Sequence, residues 1–116
     1  GLGDVYKRQA LDEQYTKLDE YVDTSAEFIR QINNAPAPHS MSVMIENSII
    51  EEELISNVVT PEYIAARIIP DYTKMMQYCI QIIKRSDDAN MPELTDFAVT
   101  VRTTISKYKW MLQSTI

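Results

Sequence analysis

The chain has 116 residues, a 45% hydrophobic composition, only 2 glycines and a formal net charge of −6. This composition is too apolar for a disordered chain and too poor in glycine for a turn-rich β fold. The negative charge disfavours anionic surfaces, so we expect neither nucleic acid nor a membrane as a partner. The single cysteine excludes an internal disulfide, and no run of about 18 apolar residues occurs. We therefore expect a soluble, cytoplasmic protein.

The first nine residues differ from the rest of the sequence. Residues 1–9 (GLGDVYKRQ) lack the helical periodicity that begins two residues later. The string resembles a translated adaptor or assembly scar, and we therefore set it apart as a foreign tail. Residues 10–116 are expected to form a single domain, because their number lies within the usual size of one domain. In one alternative, the natural beginning is missing and the chain is an uncharacterised fragment of a longer protein.

Two amphipathic helices are predicted in the first half of the chain. Over residues 10–33, apolar side chains recur at alternating spacings of four and three, which places them on one side of a helix. Two prolines then predict a loop. Over residues 41–58, apolar side chains occupy more than one side of the predicted helix, so it either lies between neighbours or donates one side to another chain. We therefore predict that a homo-oligomer forms through this second helix.

Two further helices are predicted at residues 61–85 and 91–114. Thr60 precedes a proline, which makes a favourable helix start. After it, apolar residues recur at spacings of three and four and predict one buried line along the helix, formed by Ile64, Ile68, Tyr72, Met75, Cys79 and Ile82. Pro70 lies inside the third helix, where it removes a hydrogen bond and crowds the preceding turn, so we predict one helix kinked at Pro70. The last helix has apolar residues at strict four–three spacing, and Asn90 is its expected cap.

Together these elements predict an all-α fold. Each amphipathic helix has to cover its apolar stripe, and four helices around one axis would cover all four stripes. Because the connections are short, consecutive helices are expected to run in opposite directions. The predicted fold is therefore an antiparallel up-down-up-down four-helix bundle.

The sequence offers few residues for catalysis or metal binding. Di-metal sites in helical bundles use glutamates with Glu-x-x-His pairs, whereas this chain has one histidine, His39, and no such pair. Cys79 lies on an apolar line, where a cysteine is usually inert. Both glycines belong to the first nine residues, which excludes a glycine-rich phosphate loop. We therefore expect no catalytic residues, no metal and no cofactor, and we favour a non-catalytic protein over an enzyme.

The distribution of charge favours protein–protein interaction. Acidic residues are concentrated in the first half of the chain, whereas the segment from Arg102 onward contains no acid. We predict that the acidic side docks on a basic partner protein, in an inhibitor, immunity or antitoxin-like, or adaptor role. The residues predicted to bind this partner are Asp12, Asp19, Glu20, Asp23, Glu27, Glu51, Glu52 and Trp110.

Two alternative functions remain open. A kink in the third helix would open a pocket, which suits a ligand-binding or enzymatic bundle. The predicted pocket residues are Tyr63, Pro70, Asp71 and Tyr72. The basic residues of the last helix (Arg102, Lys107 and Lys109, beside Trp110) would suit nucleic-acid binding, which the overall charge makes the least favoured class.

Overall fold

The computed structural model describes residues 2–32 and 60–116, which form three helices. In chain order these are α1 (Leu2–Ile32), α2 (Pro61–Tyr63, Ile64–Ile68 and Ile69–Asp88 in direct succession) and α3 (Pro92–Gln113). Within the described ranges the chain contains no β-strand. The predicted all-α class is therefore confirmed.

The predicted four-helix bundle is wrong, because the described part of the chain contains three helices rather than four. The helix predicted at residues 41–58, through which we expected self-association, lies outside the described residues. The buried apolar residues of α1, α2 and α3 form one cluster, in which the three helices cover one another's stripes. Assigning one helix to each apolar stripe in the sequence therefore predicted one helix more than the described part of the chain contains.

α1 begins earlier than predicted, since its helix includes residues 2–9. Its inner side follows the period of an α-helix, in which residues three and four apart lie on the same side. The buried residues of this side are Leu11, Gln14, Tyr15, Leu18, Tyr21 and Ser25. The polar residues between them are consequently turned towards solvent.

α2 begins where the sequence predicts. The Oγ1 atom of Thr60 accepts a hydrogen bond from the Tyr63 backbone N–H at 3.0 Å. Pro61 occupies the first turn, where its missing N–H costs nothing. The predicted apolar line is buried throughout and consists of Ile64, Ile68, Tyr72, Met75, Cys79 and Ile82. The predicted start and inner side of this helix are confirmed.

Pro70 disturbs α2 without ending it. Directly before the proline, the Ile69 N–H donates to the Ile64 carbonyl five residues back, which is the bond of a π-helical turn. A proline inside a helix supplies no N–H and displaces the carbonyl four residues before it, so the local ladder has to change. The structure therefore has a π-helical turn at Ile64–Ile68, next to Pro70, and the kink of the helix axis stays a prediction.

A tight turn joins α2 and α3. Asn90 has a left-handed φ of 56°. Its N–H donates to the Asp87 carbonyl at 3.0 Å, and the Met91 N–H donates to the Ser86 carbonyl at 2.9 Å. These two bonds around a left-handed residue form a Schellman motif, which ends a helix. Asn90 therefore terminates α2, and the prediction that it caps α3 is wrong, because Met91 holds the cap position.

α1 packs on the α2–α3 pair and runs antiparallel to α3. The hydroxyl of Tyr21 donates to Thr104 Oγ1 at 2.8 Å. The rings of Phe28 and Phe97 lie 5.3 Å apart. As the contacts move towards the C-terminus of α1, they move towards the N-terminus of α3. This arrangement buries the inner side of α1 and exposes its outer side.

Candidate functional site

The outer side of α1 carries a concentration of carboxylates, which we call the acidic face. It consists of the exposed residues Asp12, Glu13, Asp19, Glu20, Asp23 and Glu27. At about 100° per residue, these positions lie opposite the buried stripe of the same helix, and at 1.5 Å per residue they extend over about 22 Å. Because burial of the inner side fixes the helix against α2 and α3, it also fixes the direction of the acidic face.

The acidic face contains one cation between its first and last carboxylates. Lys17 Nζ lies 3.1 Å from Glu20 Oε2 and 5.5 Å from the centroid of the Tyr21 ring. The hydrogen bond and charge of Glu20 raise the pKa of Lys17, so its ammonium stays charged. For the other carboxylates of the face, the described part of the chain provides no ion pair. The face is therefore strongly anionic.

The structure brings together one part of the predicted partner-binding site. Five of its residues share the outer side of α1, namely Asp12, Asp19, Glu20, Asp23 and Glu27. Glu51 and Glu52 lie outside the described residues. Trp110 lies on the outer side of α3, and 67% of its surface is exposed. Binding of a partner by these residues stays a prediction.

The residues predicted to line a pocket have unequal surroundings. Pro70 is exposed, and Asp71 is half-buried with its Oδ2 accepting a hydrogen bond from Arg67 Nε at 3.3 Å. Tyr72 is fully buried, and its hydroxyl donates to Gln14 Oε1 at 2.7 Å. This bond joins α2 to α1 across the core.

Three buried polar atoms near this bond have no hydrogen-bond partner among the described residues, and we call them the polar cluster. They are Gln14 Nε2, Tyr15 Oη and Tyr63 Oη. Burial raises the pKa of Tyr15 and of Tyr63, and the nearby Tyr72 raises that of Tyr15 further. Both phenols therefore stay protonated and can donate. Each unpaired buried polar group lowers the stability of the fold by about 1–3 kcal/mol, so a ligand that supplied the missing hydrogen bond would recover part of this cost.

The sequence prediction missed Gln14 and Tyr15 as neighbours of the predicted pocket residues. Gln14 lies three residues after Leu11 and four before Leu18, both of which are buried. That spacing indicates that Gln14 lies on the inner side of the helix. Its residue type argues against this position, because glutamine is mostly exposed in proteins. Nothing local in the sequence connects either residue with positions 63–72.

The described residues contain no assembled reactive group of the kinds considered above. Among them, no three His, Cys, Asp or Glu side chains come together in a way that could hold a metal ion. Burial raises the pKa of the Cys79 thiol to about 12, which leaves little thiolate near neutral pH. His39 lies outside the described residues. None of the described helices combines the length and the hydropathy that crossing a bilayer requires.

Comparison with known proteins gives no guide to the function. No protein-family model matches the chain, and no curated protein or solved structure is similar enough to count as a match. The function is therefore inferred from the acidic face and the polar cluster.

Proposed function

We propose that this is a non-catalytic binding protein whose acidic face docks on a basic surface of a partner protein. It would act as an inhibitor, an immunity or antitoxin-like protein, or an adaptor. The observation that carries the proposal is the alignment of six carboxylates on the exposed side of α1, with Lys17 as the one cation among them.

Folding requires a polar outer side on α1, but it does not require that nearly all of the charges on that side have one sign. Asp19, Asp23 and Glu27 follow one another at intervals of four residues. Like charges at this spacing destabilise a helix by about 0.2–0.5 kcal/mol per pair. A basic partner would replace this repulsion by attraction. The arrangement is therefore unfavourable in the free protein and favourable in a complex.

A docking surface whose charges have one sign also affects the rate at which a partner associates. Such a face steers an oppositely charged surface and raises the association rate by about 10- to 1,000-fold. The effect is screened by salt, because the Debye length is about 8 Å at physiological ionic strength. The proposal therefore requires an association that weakens markedly as salt is added.

Removing the charges of the acidic face tests the proposal. The variant carries Asp12→Asn, Asp19→Asn, Asp23→Asn and Glu27→Gln. A matched control removes four exposed charges from α2 and α3 instead, by Asp87→Asn, Asp88→Asn, Glu93→Gln and Asp96→Asn. The probe is a fluorescent helical peptide with lysines every three to four residues, and its binding is measured by anisotropy at low salt.

For the face variant we expect binding weakened by at least about tenfold, and for the control an affinity close to that of the unaltered protein. Circular dichroism establishes that both variants keep their helices. Equal losses in the two variants would mean that net charge, rather than the acidic face, attracts the peptide. That result would contradict the proposal.

A second candidate function is the binding of a small molecule at the polar cluster. The observation that favours it is the three buried polar atoms without a partner among the described residues. A neutral ligand with hydrogen-bond acceptors would pair with the Gln14 amide and the two phenols. In a thermal-shift screen with metabolites, stabilisation that disappears in Tyr63→Phe would support this function. A screen without hits, together with peptide binding, would favour docking.

A further inference from the structure

The outer side of α3 carries an uncharged stripe with apolar residues at both ends. It is formed by Val99, Thr103, Ser106 and Trp110, all of which are exposed. Their spacing of four, three and four aligns them on one side of the helix over about 17 Å. Trp110 is 67% exposed, and tryptophan is among the residue types most often found at the energetic centres of interfaces.

Two exposed cations, Arg102 and Lys107, flank this stripe. No acidic residue occurs between positions 97 and 116. The structure shows no ion pair for either cation with the described residues. From residue 97 onward this side of α3 is therefore cationic, although the exposed Asp96 lies one turn before Val99 and the whole chain has a net charge of −6. We call the stripe and its two flanking cations the cationic face.

The cationic face of α3 complements the acidic face of α1. The two faces are opposite in sign, and their lengths of about 17 and 22 Å are similar. Within one copy the described residues form no ion pair between the two faces, although Glu13 and Glu20 lie near Tyr108 of α3. Their charges therefore stay unpaired with each other in one copy and can be matched between two copies.

We propose that the protein self-associates head to tail, with the acidic face of one copy docked on the cationic face of a second copy. Trp110 provides the apolar anchor of this contact. The inference rests on the proposed function, because it uses the same acidic face and names a second copy as its basic partner. Since the contact joins two different faces, each pair leaves one face of each kind free for further copies.

The expected assembly is weak and reversible. A contact between two single helix faces falls below the roughly 1,200 Å² that stable interfaces bury. Much of the attraction comes from exposed charges, which salt screens. Association should therefore be visible at low salt and high protein concentration, and it should decline as salt is added.

Charge reversal on each face tests the inference in sedimentation velocity at low salt. One variant carries Asp19→Lys and Asp23→Lys on the acidic face, and the other carries Arg102→Glu and Lys107→Glu on the cationic face. The unaltered protein is expected to associate with rising concentration, and each variant alone to associate at least about tenfold more weakly. An equimolar mixture of the two variants is expected to associate again, because each reversed face meets a complementary face on the other variant.

A control with Asp87→Lys and Asp88→Lys has the same net charge as the first variant and is expected to associate like the unaltered protein. Loss of association in this control overturns the inference. An unaltered protein that stays monomeric up to millimolar concentration also overturns it, as does a mixture of folded variants that stays monomeric. The lysine-peptide assay tests the acidic face separately. If the protein stays monomeric but binds the peptide, a second copy is rejected as the partner and the proposed function is kept. If the protein does not bind the peptide either, the proposed function is rejected too.

Discussion

The Tyr72 hydroxyl and the Gln14 side-chain amide meet in the interior at 2.7 Å, where α1 and α2 are held together. Close to them, the hydroxyl of Tyr15 is buried without a partner in the described chain. Two phenols in one region of the core therefore make opposite contributions to stability. A buried hydrogen bond stabilises the fold, whereas an unpaired buried hydroxyl lowers its stability.

Replacing each tyrosine by phenylalanine separates these contributions. Tyr72→Phe should lower the free energy of unfolding by about 1–3 kcal/mol, because it leaves the Gln14 carbonyl oxygen unpaired in the interior. Tyr15→Phe should leave the stability unchanged or raise it by up to about 1 kcal/mol, because it removes an unpaired hydroxyl. Urea unfolding measures both. Similar losses in the two variants would mean that the Tyr15 hydroxyl is paired in solution.

The burial of the Cys79 thiol can be tested, because it affects both the pH dependence of stability and the reactivity of the thiol. Its thiol is buried, and burial raises the pKa to about 12 from an ordinary value of 9.0. Between these values the unfolded chain loses a proton that the folded chain keeps, so the thiol's contribution to stability is fully present below pH 9 and is lost progressively as the pH rises from 9 to about 12. At pH 8 we expect a disulfide reagent to label Cys79 slowly, and rapidly once urea unfolds the protein. Rapid labelling of the folded protein would contradict this placement.

Individual residues were predictable where residue type and helical spacing agree. Met75 and Ile82 are apolar and recur at helical intervals, and both are buried as predicted. Gln14 could not be placed with the same rule, because its type argues for solvent while its spacing argues for the core. Its burial depends on the distant Tyr72, a contact that local periodicity does not encode.

At the scale of the helices, the local sequence predicts where a helix begins better than it predicts an irregular turn within a helix. The start of α2 follows from a cap residue and a proline, each of which acts within one turn. The missing N–H of Pro70 can be absorbed by a bend, a break or a π-helical turn, and the sequence does not select among them. Asn90 was misplaced for a related reason, because asparagine suits both a helix cap and a left-handed helix end.

The cap of α2 has a measurable effect. Thr60→Ala removes the oxygen that accepts from the Tyr63 N–H, and it should lower the free energy of unfolding by about 0.5–2 kcal/mol. Thr103→Ala is the matched control, since Thr103 is exposed within α3 and alanine favours a helix more than threonine does. Thermal unfolding should therefore show a loss for the first variant and none for the second. Equal midpoints would mean that the cap does not form.

At the scale of the whole molecule, the sequence predicts the class of fold and not the number of helices. An amphipathic stripe indicates that a helix packs against other elements, but it does not indicate how many helices form the core. The acidic face was predictable as a set of residues, because its position follows from the helical period of α1. Its relation to the cationic face depends on how α1 and α3 pack, and therefore on contacts such as that between Tyr21 and Thr104.

We propose above all that the acidic face of α1 is the surface through which this protein binds a basic partner. The most direct test is a titration of isotope-labelled protein with the lysine-bearing helical peptide, followed by nuclear magnetic resonance. We expect the largest shifts of backbone amide signals at residues 12–27, and their decline as salt is added. Shifts centred on residues 63–72, or spread evenly over the three helices, would contradict the claim.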